Sequence, residues 1–404
     1  MSYPINQPIT YTAVASTQGA PSNAFTYAWA FDDGGTANTA SATHTWTTTG
    51  NHLATVTATD TTTGGTATAS KTISIMSYLW ILLGQTAGTG PTGNGVYGVQ
   101  GTKLLIAPGT TSTSTLVYDF SNNTFSAGPT LNAAFNPGVD YGSGVFAPAP
   151  IRTTDGKIYL QQGGSVAPML VDLVGNTVTN LTAQTFSTFT TPLAVQGSDG
   201  LVYYFGMSGT FDQTYVHDPV ADSWVHKASS APTAIVGSRP ISIGNNKFFT
   251  ISRQTGRGYV YDATADSWTT STNACGLSLG SSASYTSILI GNLVYSFGTD
   301  TLGNKLGSIY NIATNTFTNT SADTIYRISP GLYAMENGKI HIICGSITSA
   351  TSVIYDPVSN TYSNTYAMSN ASMSNALIHP TTGKPFAFGA ASSAPMYANT
   401  FDGT

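Results

Sequence analysis

Any chemistry in this chain has to come from very few side chains. Glu336 is the only glutamate among 404 residues, five arginines and six histidines are present, and Cys275 and Cys344 are the only cysteines. General acid–base catalysis asks for a pair of carboxylates, or a carboxylate beside a histidine. Glu336 stands alone in Met335-Glu336-Asn337-Gly338, which reads as the tip of a hairpin. Arg152, Arg239 and Arg327 each lie just upstream of an apolar run. Guanidinium groups converging there would grip a carboxylate bidentately, although their offsets from those runs differ. Tyr141 and Phe211 fall between such runs and offer ring faces on which a sugar stacks, as do Phe146, Phe186 and Phe189. No histidine pair has a metal-ligand spacing, no Gly-rich loop ends in Lys-Ser/Thr, and no G-x-S-x-G elbow is present. The expectation is a protein without a catalytic set, metal or cofactor. Its candidate binding residues are Arg152, Arg239, Arg327, Glu336, Tyr141 and Phe211.

Composition narrows the elements that hold these residues. Only 8% of the chain is charged, against roughly 25% in an average soluble protein. The net charge is -5, so there is no basic field to neutralise nucleic-acid phosphates. No apolar run approaches the ~20 residues that span a bilayer; the longest candidate, Ile75 to Leu83, is broken by Ser77. Aromatics reach 11%, enough to build a core. Thr, Val, Tyr and Phe dominate over the strong helix formers, so the expected fold class is all-β. The two cysteines are too few for a disulfide framework and read as small buried hydrophobes.

Residues 1–76 alternate with period two. Tyr27, Trp29 and Phe31 share one face of a core strand ended by Asp32-Asp33-Gly34-Gly35. The runs Leu53 to Asp60 and Ala67 to Ile75 flank the turn signal Thr61-Thr62-Thr63-Gly64-Gly65, and read as a hairpin. Trp29-Ala30-Phe31-Asp32-Asp33-Gly34, then His44-Thr45-Trp46, Gly50 and Val56-Thr57-Ala58-Thr59-Asp60, resemble a PKD domain. Asp32 stands where that family carries Gly, and Trp46 where it carries Tyr. The resemblance implies an immunoglobulin-like sandwich serving as a spacer or adhesion module. Asp32 and Asp33 are expected to cap turn N–H groups rather than hold calcium.

From residue 100 onward a spacing recurs. Tyr118-Asp119 is followed by Asn123 and Phe125; Val171-Asp172 by Asn176 and Val178; His217-Asp218 by Asp222 and Trp224. Tyr261-Asp262 leads to Asp266 and Trp268, Tyr310-Asn311 to Asn315 and Phe317, and Tyr355-Asp356 to Asn360 and Tyr362. The first Asx is expected to accept from turn N–H groups and the second to take the left-handed position. Before each hairpin comes a turn and an apolar strand, as in Gly156-Lys157-Ile158-Tyr159-Leu160 and Gly338-Lys339-Ile340-His341-Ile342. A period of roughly 45 to 50 residues is that of a kelch-type blade, and residues 77–404 resemble a kelch-like β-propeller. Seven inner strands but six complete outer hairpins imply seven blades with one split. Aligned on the motif, Tyr397 takes the Tyr position and Asp402 the second Asx, so the segment 78–83 is expected to supply the last outer strand and close the ring.

The resemblance leaves function open, since propellers host many activities. A copper oxidase on such a propeller needs a Tyr–Cys pair and two His ligands, which the spacing of the histidines does not offer. A sialidase needs an S-x-D-x-G-x-x-W box, which is missing. The expectation is therefore a non-enzymatic structural or adhesion protein of a bacteriophage virion, a tail or head appendage. Its partners would be other virion proteins in a symmetric or homo-oligomeric assembly and a host-surface glycan, without nucleic acid or membrane insertion. The low-charge, Thr-rich composition and a start lacking a basic and apolar leader motivate that location. The alternatives are an exported bacterial surface adhesin and a carbohydrate-active enzyme.

Overall fold

The computed structural model describes residues 2–4, 8–18, 23–48, 50–76, 79–89, 96–107, 113–133, 151–153, 155–161, 167–184, 193–207, 212–232, 240–252, 255–275, 284–299, 306–322, 330–335, 337–343, 352–364, 373–378, 380, 382–389 and 395–402. All regular elements among them are strands. The chain divides into two compact units, Met1–Leu79 with Asp402–Thr404, and Trp80–Phe401.

The first unit stacks a five-stranded sheet on a two-stranded one. In the larger sheet Phe25–Phe31 lies beside Gly50–Asp60, which pairs with Thr66–Met76 across a turn with Gly64 at φ 73°. The period-two pattern decides what is buried: Trp29, Phe31, Ala54, Val56, Ile73 and Ile75 face Ile9, Tyr11 and Ala42 from Pro8–Thr12 and Ser41–Thr45, and Trp46 just beyond the latter. Trp46 is 1% exposed and donates Nε1–H to the Tyr11 hydroxyl at 3.1 Å, so its indole nitrogen is buried with a partner. Outward-facing hydroxyls pair across the strands, Thr55 with Ser70 at 3.0 Å and Thr10 with Thr43 at 3.0 Å. Each such pair contributes roughly 0.2–1 kcal/mol.

The second unit holds, among the described residues, seven four-stranded sheets, the first six antiparallel throughout. The first runs Val96–Gln100, Lys103–Ala107, Leu116–Asp119 and Thr124–Ala127. Five more repeat that order around Ile158–Leu160, Val202–Met207, Lys247–Ile251, Leu293–Thr299 and Ile340–Ile343. These second strands are buried on both faces, which their continuous apolar runs require. The seventh sheet has the order Met373–Ile378, Pro385–Gly389, Pro395–Asp402 and then Leu79–Thr89, the strand that follows the sandwich.

The register of the seventh sheet corrects one expectation. Elsewhere the motif Tyr lies opposite a buried residue of the second strand, as Tyr118 opposite Leu104 and Tyr261 opposite Phe248. Phe386 is the buried counterpart, and it faces Thr400 rather than Tyr397. Thr400 thus takes the Tyr position, and Asp402 is the end of a continuous strand instead of a turn residue.

Consecutive sheets pack through their faces. Leu105 and Val117 meet Ile158 and Val171; Tyr159 meets Val202 and Tyr204; Phe205 meets Phe248 and Tyr261; Phe249 meets Val294 and Tyr310; Phe297 meets Ile340 and Tyr355. Tyr333 of the sixth sheet donates its hydroxyl to the Gly383 carbonyl at 3.1 Å. Phe386 of the seventh lies 5.3 Å from the Tyr118 ring and 4.9 Å from the Phe120 ring of the first. The first strand of the first sheet packs closely on the second strand of the next: a Cβ on Gly98 would lie 2.5 Å from Ile158 Cγ2, so any larger residue there forces a shift.

Candidate functional site

The antiparallel order gives every sheet two unlike ends. Turns between the first and second strands, and between the third and fourth, share one end. That end is built from the repeated motif. Asn123, Asn176, Asp222, Asp266, Asn315 and Asn360 all have φ between 46° and 58°, the left-handed region that Asn and Asp tolerate. The first Asx accepts from the turn backbone in each copy, for example Asp218 from Val220 N–H at 2.8 Å and Asp262 from Thr264 N–H at 3.0 Å. The second Asx reaches the neighbouring sheet: Asp222 accepts from Thr182 N–H at 2.7 Å, Asp266 from Ala228 N–H at 3.1 Å, and Asn360 from Ser321 N–H at 2.8 Å. These side chains are committed to structure. Lys247 and Lys339 neutralise Asp262 and Asp356 at 2.9 and 3.2 Å.

The opposite end receives the second-to-third connections and the passages between sheets. By chain position Tyr141, Phe211, Arg239 and Arg327 fall in these connections, and they lie outside the described residues. Glu336 is also outside them, but it falls between the first and second strands of the sixth sheet, the turn end. Of Arg152 the backbone alone is described, in the strand Ile151–Arg152 opposite Ile158. Phe146, Phe186, Phe189, Cys344 and His379 are outside as well, while Cys275 is buried at 3% exposure in an apolar cluster.

One polar cluster was missed in the sequence. Tyr159 of the second sheet lies 2.7 Å from the Tyr204 hydroxyl and 2.9 Å from His217 Nδ1, both of the third. His217 Nε2 is 3.3 Å from Asp222 Oδ1, and its ring lies 4.4 Å from Trp224. Burial pulls the His217 pKa down against the pull of Asp222, and drives Tyr159 well above the usual phenol range. Burial also opposes ionisation of Asp222, but Thr182 N–H, the Thr182 hydroxyl and His217 outweigh it, and its pKa is lowered. A neutral His217 therefore donates Nε2–H to Asp222 and accepts from Tyr159, which accepts from Tyr204. The only signal was His217 standing where four other copies carry Tyr. With 0% exposure at His217, this cluster joins two sheets rather than meeting a substrate.

In the sandwich, Asp33 accepts from Gly35 N–H at 3.0 Å and faces His44 Nε2 at 2.8 Å. Asp32 accepts from Leu53 N–H at 2.8 Å and faces His52 Nδ1 at 3.0 Å. Both carboxylates are thus occupied by protein donors. Asp60 accepts from Thr17 Oγ1 and Asn23 Nδ2, each at 2.6 Å, and from Thr62 and Thr63 N–H. Those bonds, Thr17 and Asn23 foremost, hold its carboxyl far below the usual range.

With this geometry in view, the comparisons place each unit. A family model described as a PKD domain matches residues 3–103, and the N-terminal unit is an immunoglobulin-like sandwich of that kind. No curated protein matches the chain. Among solved structures, the chain is similar to a fungal alcohol oxidase of the AA5 family, in complex with copper, at 16% identity and a TM-score of 0.60, over 80% of this chain and 76% of that one. At that identity the likeness is one of fold.

The expectation of a non-enzyme is corrected by this neighbour, which is an enzyme. Scarce carboxylates weigh against acid–base hydrolysis and the histidine spacing against a copper oxidase, but neither count excludes an enzyme built on this fold. Copper itself does not fit the described side chains. No three His, Cys, Asp or Glu side chains among them are grouped to hold a metal. The Tyr159–His217 pair has both imidazole nitrogens engaged, by Tyr159 and Asp222.

Proposed function

We propose that residues 77–404 form a seven-bladed kelch-like propeller, closed by Leu79–Thr89, whose long-connection end is a binding face for a host-surface glycan. The observation that carries this reading is the asymmetry of the sheets. Every short motif turn sits at one end, and the connections that leave the other end include long ones, such as that from Ala127 to Ile151. The face-to-face packing that runs from sheet to sheet and joins Phe386 to Tyr118 supports the closed ring. The carrier we propose is a bacteriophage virion, with the sandwich as spacer or anchor and other virion proteins as partners. A surface of paired hydroxyls with 8% charged residues supports a particle surface. Mass spectrometry of purified particles, with a glycan array probed by the full chain, tests both parts. Absence from particles overturns the location, and no captured glycan overturns the binding face.

A second reading is favoured by the likeness to an alcohol oxidase: turnover of a carbohydrate at the same end. Oxygen consumption by the full chain on a panel of sugars and primary alcohols, with copper supplied, separates turnover from binding alone.

A further inference from the structure

We propose that the open half of the N-terminal sandwich binds an acidic oligosaccharide, a site separate from the long-connection end and independent of the propeller reading. The larger sheet has five strands and the covering sheet two, so the described strands of this unit leave part of the inner face uncovered. On Thr66–Met76 the inward positions are Ala67, Ala69, Lys71, Ile73 and Ile75. Ile73 and Ile75 are 3% and 1% exposed, whereas Ala67, Ala69 and Lys71 are exposed. A cavity of about 820 Å³ opens over them, within the range of small-ligand sites. Its lining includes the half-buried rings of Phe25 and Tyr27 and the small side chains of Val56 and Ala58.

Two polar facts select the occupant. The Asp60 carboxylate at the cavity's edge is filled by four neutral donors and keeps its charge, and it lies six strand residues from Ala54, the residue opposite Lys71, so the anionic group of a ligand belongs at the Lys71 end. Lys71 has no ion-pair partner among the described residues, and it projects from the apolar face. One uncommitted cation beside aromatic faces complements an anion carried on a ring. Register sets the size. Tyr27, Ala58 and Ala67 form one row across the strands, and Phe31, Ala54 and Lys71 another. Lys71 is thus displaced from Tyr27 by two strand spacings and four residues, about 10 Å by about 13 Å, before its own reach is subtracted. About two or three pyranose rings span what is left.

The test is calorimetric titration of the full chain with trigalacturonate, an alginate trimer and sialyllactose, with the change in tryptophan fluorescence that Trp29→Phe removes as a second readout. Methyl-esterified trigalacturonate, maltotriose and poly-glutamate serve as comparisons. An acidic trimer is expected to bind at least about tenfold more tightly than its ester, a gap that shrinks with salt. Lys71→Gln is expected to remove that preference, Lys71→Arg to keep it, and Tyr27→Ser to weaken esterified and acidic sugars alike. Lys71 is exposed, so its variants keep the fold and report directly. No binding of any acidic sugar at about 10 mM overturns the proposal, as does binding that Lys71→Gln leaves unchanged. Equal binding of poly-glutamate overturns it in favour of an acidic peptide.

Discussion

Tyr355 donates its hydroxyl to Asn360 Oδ1 at 2.9 Å, and the same oxygen accepts Ser321 N–H from the preceding sheet. One amide thus closes a hairpin and ties two sheets. Asn360 also holds φ 53°. These roles separate by substitution. Asn360→Gly keeps the backbone and loses the bonds, at about 1–3 kcal/mol. Asn360→Ala loses both and is expected to cost about 1–2 kcal/mol more. Thermal or urea melts of the pair measure the difference, and equal melting would mean that the left-handed position costs alanine nothing here.

His217 takes the place of that tyrosine in the third sheet. Its folded pKa is lowered by burial, so the unfolded chain binds the proton more readily. Stability from this site is full above the ordinary value of 6.5 and is lost as pH falls below it. His217→Tyr is expected to flatten the dependence of the melting midpoint between neutral and mildly acidic pH. It costs about 1 kcal/mol at pH 7, because Tyr159 loses its acceptor. An unchanged slope would assign the acid sensitivity elsewhere.

Asp60 acts in the same direction at lower pH. Its folded pKa lies below the ordinary 3.8, so its contribution is present above that value and is lost as pH drops beneath it. The sandwich should therefore melt earlier at pH 3 than at pH 5, and Asp60→Asn should narrow that gap. Differential scanning calorimetry of both proteins at the two pH values checks it.

These cases show what a single sequence reveals. The Tyr-Asp-x-x-x-Asx spacing was legible because each side chain satisfies backbone a few residues away, and local needs leave a local pattern. The apolar strands were legible for the same reason, from Gly200 at φ 82° through Tyr203 and Phe205. Asp60 was quoted as a strand end, but its donors Thr17 and Asn23 lie 43 and 37 residues away, and no spacing announces them. The seventh sheet misled because Tyr397 imitates the motif, while strand register, fixed by pairing with Phe386, sets the true position at Thr400. The long connections that hold Tyr141, Phe211, Arg239 and Arg327 lack the repeat altogether, which is why their chemistry was read from residue type alone.

Gly98 offers a test of how tightly the first strand of one sheet packs on the second strand of the next. Its φ is not left-handed, so the reason for glycine is room: a Cβ would press on Ile158 Cγ2 of the next sheet at 2.5 Å. Gly98→Ala is expected to destabilise by about 1–3 kcal/mol through overpacking. Ile158→Val in the same chain should recover part of it. No recovery would mean that the strain falls on the backbone.

The strand Leu79–Thr89 carries the strongest claim on architecture. It completes the seventh sheet from the other end of the sequence, so it covers the edge of Pro395–Asp402. An uncovered edge presents unpaired N–H and C=O groups along its length. Deleting residues 77–84 is expected to lower the melting temperature sharply and to promote association through that edge. The inter-sheet bonds of Asp222, Asp266 and Asn360 would remain, because their partners Thr182, Ala228 and Ser321 lie outside the deleted segment. A deletion variant that melts like the parent and stays monodisperse would show that the seventh sheet is stable on three strands, and the ring closure proposed for residues 77–404 would fall with it.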